Sequence, residues 1–115
     1  MDIKQVETVP ANAVDVDGAA GVQIQWLVGV ADRPEHFYMR LFELQPGGYT
    51  PRHDHRWEHE VFVLEGEGTV ATADGEQRIG RNSVIHVRPG ETHQFSNRGD
   101  QPLKFLCLVP RTAEY

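Results

Sequence analysis

Short apolar runs separated by turn residues extend through most of the chain. The runs are rich in Val, Ile, Phe and Tyr, and no segment places apolar residues at i, i+3, i+4 and i+7 as an amphipathic helix does. Turn signals interrupt the runs at Pro46-Gly47-Gly48, Asp74-Gly75 and Pro89-Gly90. The pattern predicts an all-β protein, with short strands at about residues 22–30, 37–44, 49–55, 59–64, 68–73, 76–79, 83–87, 92–96 and 103–109.

Nine short strands need an arrangement that leaves few exposed edges, because an open sheet edge invites pairing with another chain. A sheet that curls on itself, as a barrel or jelly roll, meets this need. We therefore expect residues 21–115 to form one barrel domain. Residues 1–20, which are polar and rich in Ala and Gly, are expected to be an N-terminal arm or a first strand.

The size and charge of the chain narrow the classes of function. Its 115 residues are enough for one domain but not for two independent cores. A net charge of −6 repels phosphate backbones and anionic lipids, so nucleic acid is not an expected partner. A single cysteine, and the lack of a signal-peptide stretch or a long apolar run, favour a cytoplasmic protein without a membrane segment.

Histidines cluster in the middle of the sequence, and a further one follows a later turn. His53 and His55 are two positions apart, so on a strand both rings point the same way and could share one metal ion. His93 would lie on a later strand that crosses the same interior. Two histidines with this spacing also occur by chance on a solvated strand, so the pair alone does not establish a metal site.

The alternation of side chains along a strand indicates which residue after His55 points towards the other histidines. His59 shares a face with Val61 and Val63, whereas Glu60 lies on the opposite face. If the two valines face the interior, so does His59. His59 is then the inward candidate and Glu60 the outward one.

The residues around these histidines resemble two motifs of the cupin superfamily, whose fold is a conserved barrel of two antiparallel sheets. The first motif is a glycine, five residues, H-x-H, three or four residues, an acidic ligand, about six residues and a glycine, and residues 47–66 are similar to it. The second motif is Pro-Gly, two residues, His, three residues and Asn, and residues 89–97 have that spacing. The resemblance implies a double-stranded β-helix, or jelly-roll, fold of the small single-domain type.

One position departs from the cupin pattern. Counting back from Gly66 places the usual acidic ligand at His59, while counting forward from His55 allows Glu60. The backward count is preferred, because an insertion inside a strand would reverse its facing whereas the loop at 56–58 tolerates a length change. The chain is similar to small manganese cupins with four histidine ligands, so the resemblance implies a site made of His53, His55, His59 and His93.

Four neutral imidazoles would leave a divalent ion its full charge and, in six-coordinate geometry, two adjacent open positions. The resemblance favours Mn or Fe, and Ni, Cu and Zn also suit imidazole ligands. Residues expected to line an apolar pocket beside the site are Trp26, Met39, Tyr49, Phe95, Phe105 and Cys107. Arg40 and Arg52 could orient a substrate carboxylate, but surface ion pairs are expected for both.

An open metal site beside an apolar pocket favours a dioxygenase-like oxidoreductase that acts on a small oxygenated organic molecule. Two alternatives stay open: isomerase or lyase chemistry with the metal as a Lewis acid, and binding of a small molecule without turnover. Outward Phe62 and Leu64 would form an apolar patch that needs covering, so we also expect a homodimer.

Overall fold

The computed structural model describes residues 1–113 and confirms the all-β fold. Two single-turn 3-10 helices, Val6–Thr8 and Val30–Asp32, are its only helical segments within those residues, and neither approaches the length that crossing a membrane would require. The strands are β1 (Ala11–Ala13), β2 (Ala20–Val28), β3 (Phe37–Tyr49), β4 (His59–Glu65), β5 (Glu67–Thr72), β6 (Gly75–Gly80), β7 (Val84–Val87), β8 (Gln94–Ser96) and β9 (Leu103–Pro110).

The strands form one antiparallel sheet that curls around the core. Its order is β6-β5-β8-β3-β9-β4-β7, with β2 paired to β3 and β1 paired to β2. Strand β3 is central, because it pairs with β2, β8 and β9. The side chains that β3 turns inward therefore meet those of several other strands.

Alternating burial along β9 defines the interior. Leu103, Phe105, Cys107 and Val109 are buried, and the residues between them are partly exposed. Because side chains on a strand alternate between its two faces, this period assigns the odd-numbered residues of β9 to the core.

Strand β3 differs from the prediction at its C-terminal end. It does not stop at Pro46-Gly47-Gly48 but continues to Tyr49, with a register shift opposite Gly21. Gly47 has φ +83°, and a Cβ on Gly48 would lie 2.8 Å from the Gly21 carbonyl oxygen, so the two glycines permit a bulge where the sequence suggested a turn.

The prediction of a strand at 49–55 is therefore wrong. After Tyr49 the chain crosses the mouth of the barrel as a loop, and His53 makes only an isolated antiparallel bridge to His93. Strand β1, which pairs with β2, lies within residues 1–20, outside the nine strand ranges that the apolar pattern predicted. Its three residues are all exposed, so the apolar pattern contains no signal for it.

Side-chain hydrogen bonds from Asn97 close one end of the barrel. Its Nδ2 donates to the carbonyl oxygens of Leu44 and Gln101, at 2.9 and 2.8 Å, and its Oδ1 accepts from the Gly99 backbone N–H at 2.9 Å. The side chain is buried, so these bonds satisfy an amide that would otherwise be costly to bury. This end of the interior is packed, and the histidines lie towards the other end.

Candidate metal centre

Four histidines from three parts of the chain meet at the open end of the barrel. The backbones of His53 and His93 exchange two hydrogen bonds, at 3.2 and 2.9 Å, which fix the loop after β3 against the approach to β8. His55 follows in the same loop, and His59 is the first residue of β4. Their ring centroids are 4.5 to 5.3 Å apart in five of the pairs.

Three of the rings form a group that could hold one ion. His53, His55 and His93 each offer a ring nitrogen, and these nitrogens all lie within 4.8 Å of one another. Three imidazole nitrogens converging on one point are a donor set that suits Mn, Fe, Ni, Cu or Zn.

Two backbone carbonyls orient the imidazole rings of His55 and His93. His55 Nδ1 lies 2.8 Å from the Trp57 carbonyl oxygen, and His93 Nδ1 lies 2.9 Å from the Glu91 carbonyl oxygen. In each case Nδ1 donates its hydrogen, because a carbonyl can only accept. The Nε2 atoms therefore carry free lone pairs that point into the cluster, as metal-binding histidines require.

His59 joins the cluster through His55. Its Nε2 lies 2.8 Å from His55 Nε2, although His59 is not among the three histidines whose nitrogens are all mutually within 4.8 Å. Two imidazole nitrogens at this distance need a proton or a positive ion between them. His59 is 5% exposed whereas Glu60 is exposed on the outer face of β4, which is the facing that parity predicted.

The protein environment favours the neutral forms of the His53, His59 and His93 imidazoles. Burial, followed by the charge of neighbouring groups, lowers the pKa of His53 to about 4 and that of His59 to about 3. Burial also lowers the pKa of His93. A neutral ring can bind a metal, whereas a protonated one cannot, so near neutral pH these three rings are in the form that can ligate.

A cavity of about 420 Å³ adjoins the histidines. The structure places Trp26, Phe95, Phe105 and Cys107 in its wall, as the sequence suggested. Residues that the sequence did not single out complete the apolar lining, among them Val14, Val16, Val22, Ile24, Phe42 and Trp57. The cavity is thus a mostly apolar, aromatic-walled space with nitrogen ligands on one side.

Two of the expected pocket residues lie elsewhere. Met39 pairs with Leu108 on the outer face of the sheet, because the even-numbered residues of this part of β3 are the ones that point inward. Tyr49 is 40% exposed and pairs with Ser96 away from the cavity. The predicted strand at 49–55 would have turned Tyr49 towards the histidines, and that strand does not form.

The position of Arg40 also differs from the prediction, which placed this residue at the surface. Arg40 does not lie at the surface but is 5% exposed and lines the cavity. One of its terminal nitrogens donates to Cys107 Sγ at 3.0 Å and lies 3.4 Å from His59 Nδ1. Burial raises the pKa of the Cys107 thiol, which keeps it protonated beside the guanidinium.

Carboxylates are sparse around the cavity. Glu58 lies outside it, with an oxygen 3.3 Å from His86 Nε2, and Glu60 is exposed. Asp54 is the one carboxylate among the described residues that line the cavity. It is exposed, and its charge favours the protonated forms of His53 and His93, which partly opposes the effect of burial.

Comparison with known proteins identifies a family. The Cupin_2 family, described as Cupin domain, matches residues 40–109. The chain is 26% identical over 113 residues to an oxalate-binding protein from Thermotoga maritima, covering 95% of this chain and 93% of that protein. It is 31% identical over 73 residues to a gentisate 1,2-dioxygenase from Ralstonia, covering 63% of this chain and 21% of the enzyme.

Other relatives match the chain over different lengths. The chain spans about half, 46%, of 1-methylthio-D-xylulose 5-phosphate methylsulfurylase from Rhodospirillum rubrum, with 30% identity over 71 residues. The structure of the polyketide cyclase RemF from Streptomyces resistomycificus superposes with a TM-score of 0.90 at 32% identity, covering 96% of this chain and 79% of RemF. This likeness over nearly the whole chain confirms the expected barrel fold.

Proposed function

This chain belongs to the Cupin_2 family, and from that premise we propose that it is a metal-dependent enzyme acting on a small oxygenated organic molecule bound in the apolar cavity. The observation that carries the proposal is the convergence of three imidazoles on one point in the wall of an aromatic-lined cavity. In the proposed site His53, His55, His59 and His93 hold one divalent ion, Mn or Fe in the first place.

His59 is included as the fourth ligand because of its contact with His55. The two Nε2 atoms are 2.8 Å apart, and His55 Nδ1 already donates to the Trp57 carbonyl, so His55 Nε2 can only accept or ligate. An ion bound by both nitrogens satisfies this pair.

A bound divalent ion supplies a Lewis acid for substrate oxygens. The protein itself supplies the walls of the cavity and a carboxylate beside it. The walls formed by Trp26, Phe42, Phe95 and Phe105 exclude water from a flat apolar body, which strengthens every polar contact inside. Asp54 is placed at the cavity to accept a proton from a substrate carbon or hydroxyl.

The first candidate reaction is Lewis-acid chemistry without net oxidation, such as ring closure in which a carbon next to one carbonyl group bonds to the carbon of a second carbonyl group and water is lost. Its support is the similarity to the polyketide cyclase RemF, which extends over 96% of the chain. The second candidate is the dioxygenase-like reaction. It is supported by the similarity to gentisate 1,2-dioxygenase, which covers 63% of the chain.

Oxygen dependence separates the two reactions. Zn-loaded protein is incubated with heptane-2,6-dione under nitrogen, and formation of 3-methylcyclohex-2-enone and water is followed by ultraviolet absorbance. Fe-loaded protein is incubated with gentisate in an oxygen electrode. Ring closure without oxygen supports the first candidate, and oxygen uptake that disappears in His93→Ala supports the second.

Binding without turnover of either compound would favour the small-molecule-binding alternative, for which the oxalate-binding relative is the precedent. The general proposal fails if the protein binds no divalent ion. It also fails if His93→Ala binds the ion as tightly as the unaltered protein does.

Three further features belong to the proposal. Residues 21–115 would act as a single barrel domain with residues 1–20 as an arm or first strand, and the protein would be a cytoplasmic homodimer. Phe62 is 40% exposed on the outer face, as a contact between two copies would need. Light scattering of Phe62→Lys against the unaltered protein tests the dimer, because a charge at a buried contact should release monomers.

A further inference from the structure

We propose that Val16, in the loop between β1 and β2 (residues 14–19), is a specificity-determining residue that selects ligands carrying an apolar group at the opening of the cavity. This inference rests on the proposed function only in taking the cavity as the substrate site. It adds a binding residue from the N-terminal part of the chain, which neither the histidines nor the cupin motifs indicate.

The course of the β1–β2 loop is the first step. Strand β2 begins at Ala20, which pairs with Tyr49 at the end of β3, so the loop before β2 and the loop after β3 leave the sheet side by side. A Cβ on Gly18 would lie 3.7 Å from the Cα of Pro51, which places the two loops next to each other. The loop after β3 carries His53, so the β1–β2 loop borders the same opening.

Backbone hydrogen bonds hold the β1–β2 loop in this place. The Val14 N–H donates to the Val22 carbonyl oxygen at 2.9 Å, next to the paired residues of β1 and β2. The Ala19 N–H donates to the Val16 carbonyl oxygen at 3.2 Å. These bonds involve only backbone atoms, so a substitution of the Val16 side chain leaves them intact.

Apolar and acidic residues alternate along the first part of the loop. Val14 and Val16 line the cavity, whereas Asp15 and Asp17 are exposed and lie outside its lining. The loop therefore turns an apolar side towards the cavity and a charged side towards solvent.

Val16 differs from the other apolar residues of the lining in its exposure. It is 53% exposed, while the other apolar residues in the described lining are buried or half-buried. The remaining exposed residues of that lining, His53 and Asp54, are polar. An apolar ligand group at the opening would cover the Val16 side chain and gain by removing its surface from water.

Exposure alone does not make a valine a binding residue, because single apolar side chains are common on protein surfaces. Val30 is 74% exposed and does not line the cavity. The two valines therefore differ in whether a ligand in the cavity can reach them, and they form a matched pair for an experiment.

Calorimetric titration with two zinc-binding probes tests the inference. Benzohydroxamic acid and 4-butylbenzohydroxamic acid bind zinc through the same pair of oxygens, so the ratio of their affinities isolates the butyl group. Both are titrated into Zn-loaded protein, and zinc content is measured for each sample. In the unaltered protein the butyl compound should bind about tenfold more tightly or better. In Val16→Ser this ratio should fall by about threefold to tenfold, because serine lacks the methyl groups that the butyl chain would cover.

Val30→Ser is the matched control and should leave the ratio unchanged. Val16→Leu keeps an apolar side chain at the opening, so it should keep the ratio at or above that of the unaltered protein. An equal ratio in Val16→Ser and in the unaltered protein would overturn the inference. An equal loss in Val30→Ser, or no preference for the butyl compound in the unaltered protein, would overturn it as well.

A titration of metal-stripped protein separates this inference from the proposed metal site. N-phenyl-1-naphthylamine, a neutral dye whose fluorescence rises in apolar surroundings, is added to the unaltered protein and to both serine variants. Val16→Ser should bind the dye about threefold more weakly than Val30→Ser or weaker still, and equal affinities or no dye binding would overturn the role of Val16. Failure of the protein to take up zinc would refute the metal site, while this metal-free comparison would still decide the role of Val16.

Discussion

The two ends of the barrel interior use the same three strands for different purposes. At the closed end β3, β4 and β9 contribute Leu44, Val63 and Leu103, which are fully buried. Four positions away on the same strands, about 13 Å along, the open end has Arg40, His59 and Cys107. The first set of side chains packs the core, and the second set lines the candidate site.

The difference shows how the site is stabilised. Pairing of Leu44 with Leu103 and of Arg40 with Cys107 occurs in a single uninterrupted register between β3 and β9. The packed end therefore fixes the register that brings the polar groups together at the open end. Changes at the closed end should affect folding, and changes at the open end should affect binding.

The largest effect is expected from Leu44→Ala at the closed end. Removing a fully buried leucine leaves a cavity, which should lower the free energy of unfolding by about 3 kcal/mol. Urea denaturation of metal-free protein measures this loss in the free energy of unfolding. The folded variant should still bind a divalent ion within about twofold of the normal affinity. A loss of metal binding without a loss of stability would contradict the separate roles of the two ends.

Acid should destabilise the open end of the metal-free protein. The pKa of His59 is lowered to about 3 in the folded state, against an ordinary value of about 6.5 when unfolded. The unfolded chain therefore takes up the proton first, and stability present above pH 6.5 is lost as pH falls towards 3. By linkage His59 alone should lower the free energy of unfolding by about 2 kcal/mol at pH 5.

Urea denaturation at pH 7 and pH 5 measures this loss, with His59→Ala as the comparison. The variant should show a smaller difference between the two pH values. Bound metal should leave steeply at or below pH 6.5, because protons compete for the ligands. Full metal occupancy at pH 4 would argue against four histidine ligands.

Single substitutions of the histidines test which of them bind the metal. Alanine at His53, His55, His59 or His93 should weaken divalent metal binding by tenfold or more, as each removes one nitrogen donor. Calorimetric titration with Mn²⁺ or Zn²⁺ measures the affinities. Glu60→Gln is the matched control, and it should have a far smaller effect because Glu60 is exposed on the outer face. An empty site in Glu60→Gln with a filled site in His59→Ala would reverse the assignment.

The smallest effect is expected from Trp57→Leu. The Trp57 ring stacks on His55 at 4.3 Å with the planes 8° apart, while its backbone carbonyl orients His55 Nδ1. The substitution removes the stacking on His55 but keeps the backbone carbonyl, so metal affinity should fall by roughly threefold to tenfold. Trp26→Leu, which removes another cavity tryptophan that does not stack on a histidine, should change metal affinity less.

The sequence predicted β4 and β9 closely, because each alternates between a buried and an exposed face. The expected strands at 59–64 and 103–109 became His59–Glu65 and Leu103–Pro110. The same alternation placed His59 inward. Motif spacing then brought His53, His55 and His93 into one group.

Strand β3 was harder to interpret, because it is apolar on both faces. Met39 and Leu41 face outward while Arg40 and Phe42 face inward, and Leu41 is nonetheless buried. The period of the sequence cannot assign the inner face in such a run. Only pairing with Cys107 on β9 turns Arg40 into the cavity, so its burial depends on tertiary structure.

The extension of β3 to Tyr49 likewise depends on a distant contact. The bulge at Gly47 and Gly48 forms against Gly21 on β2, and nothing local distinguishes it from a turn. The loop that replaces the expected strand at 49–55 nevertheless brings His53 and His55 to the cluster. The structure therefore brings these two histidines together with His93, although a loop and not the expected strand presents them.

The most direct test of the metal centre is an anomalous difference map from crystals of Zn-loaded protein. We expect one strong peak per chain at the cavity, about 2.1 Å from a ring nitrogen of each of His53, His55, His59 and His93. A peak at Glu58 and His86 on the outer surface, with none at the cavity, would contradict it.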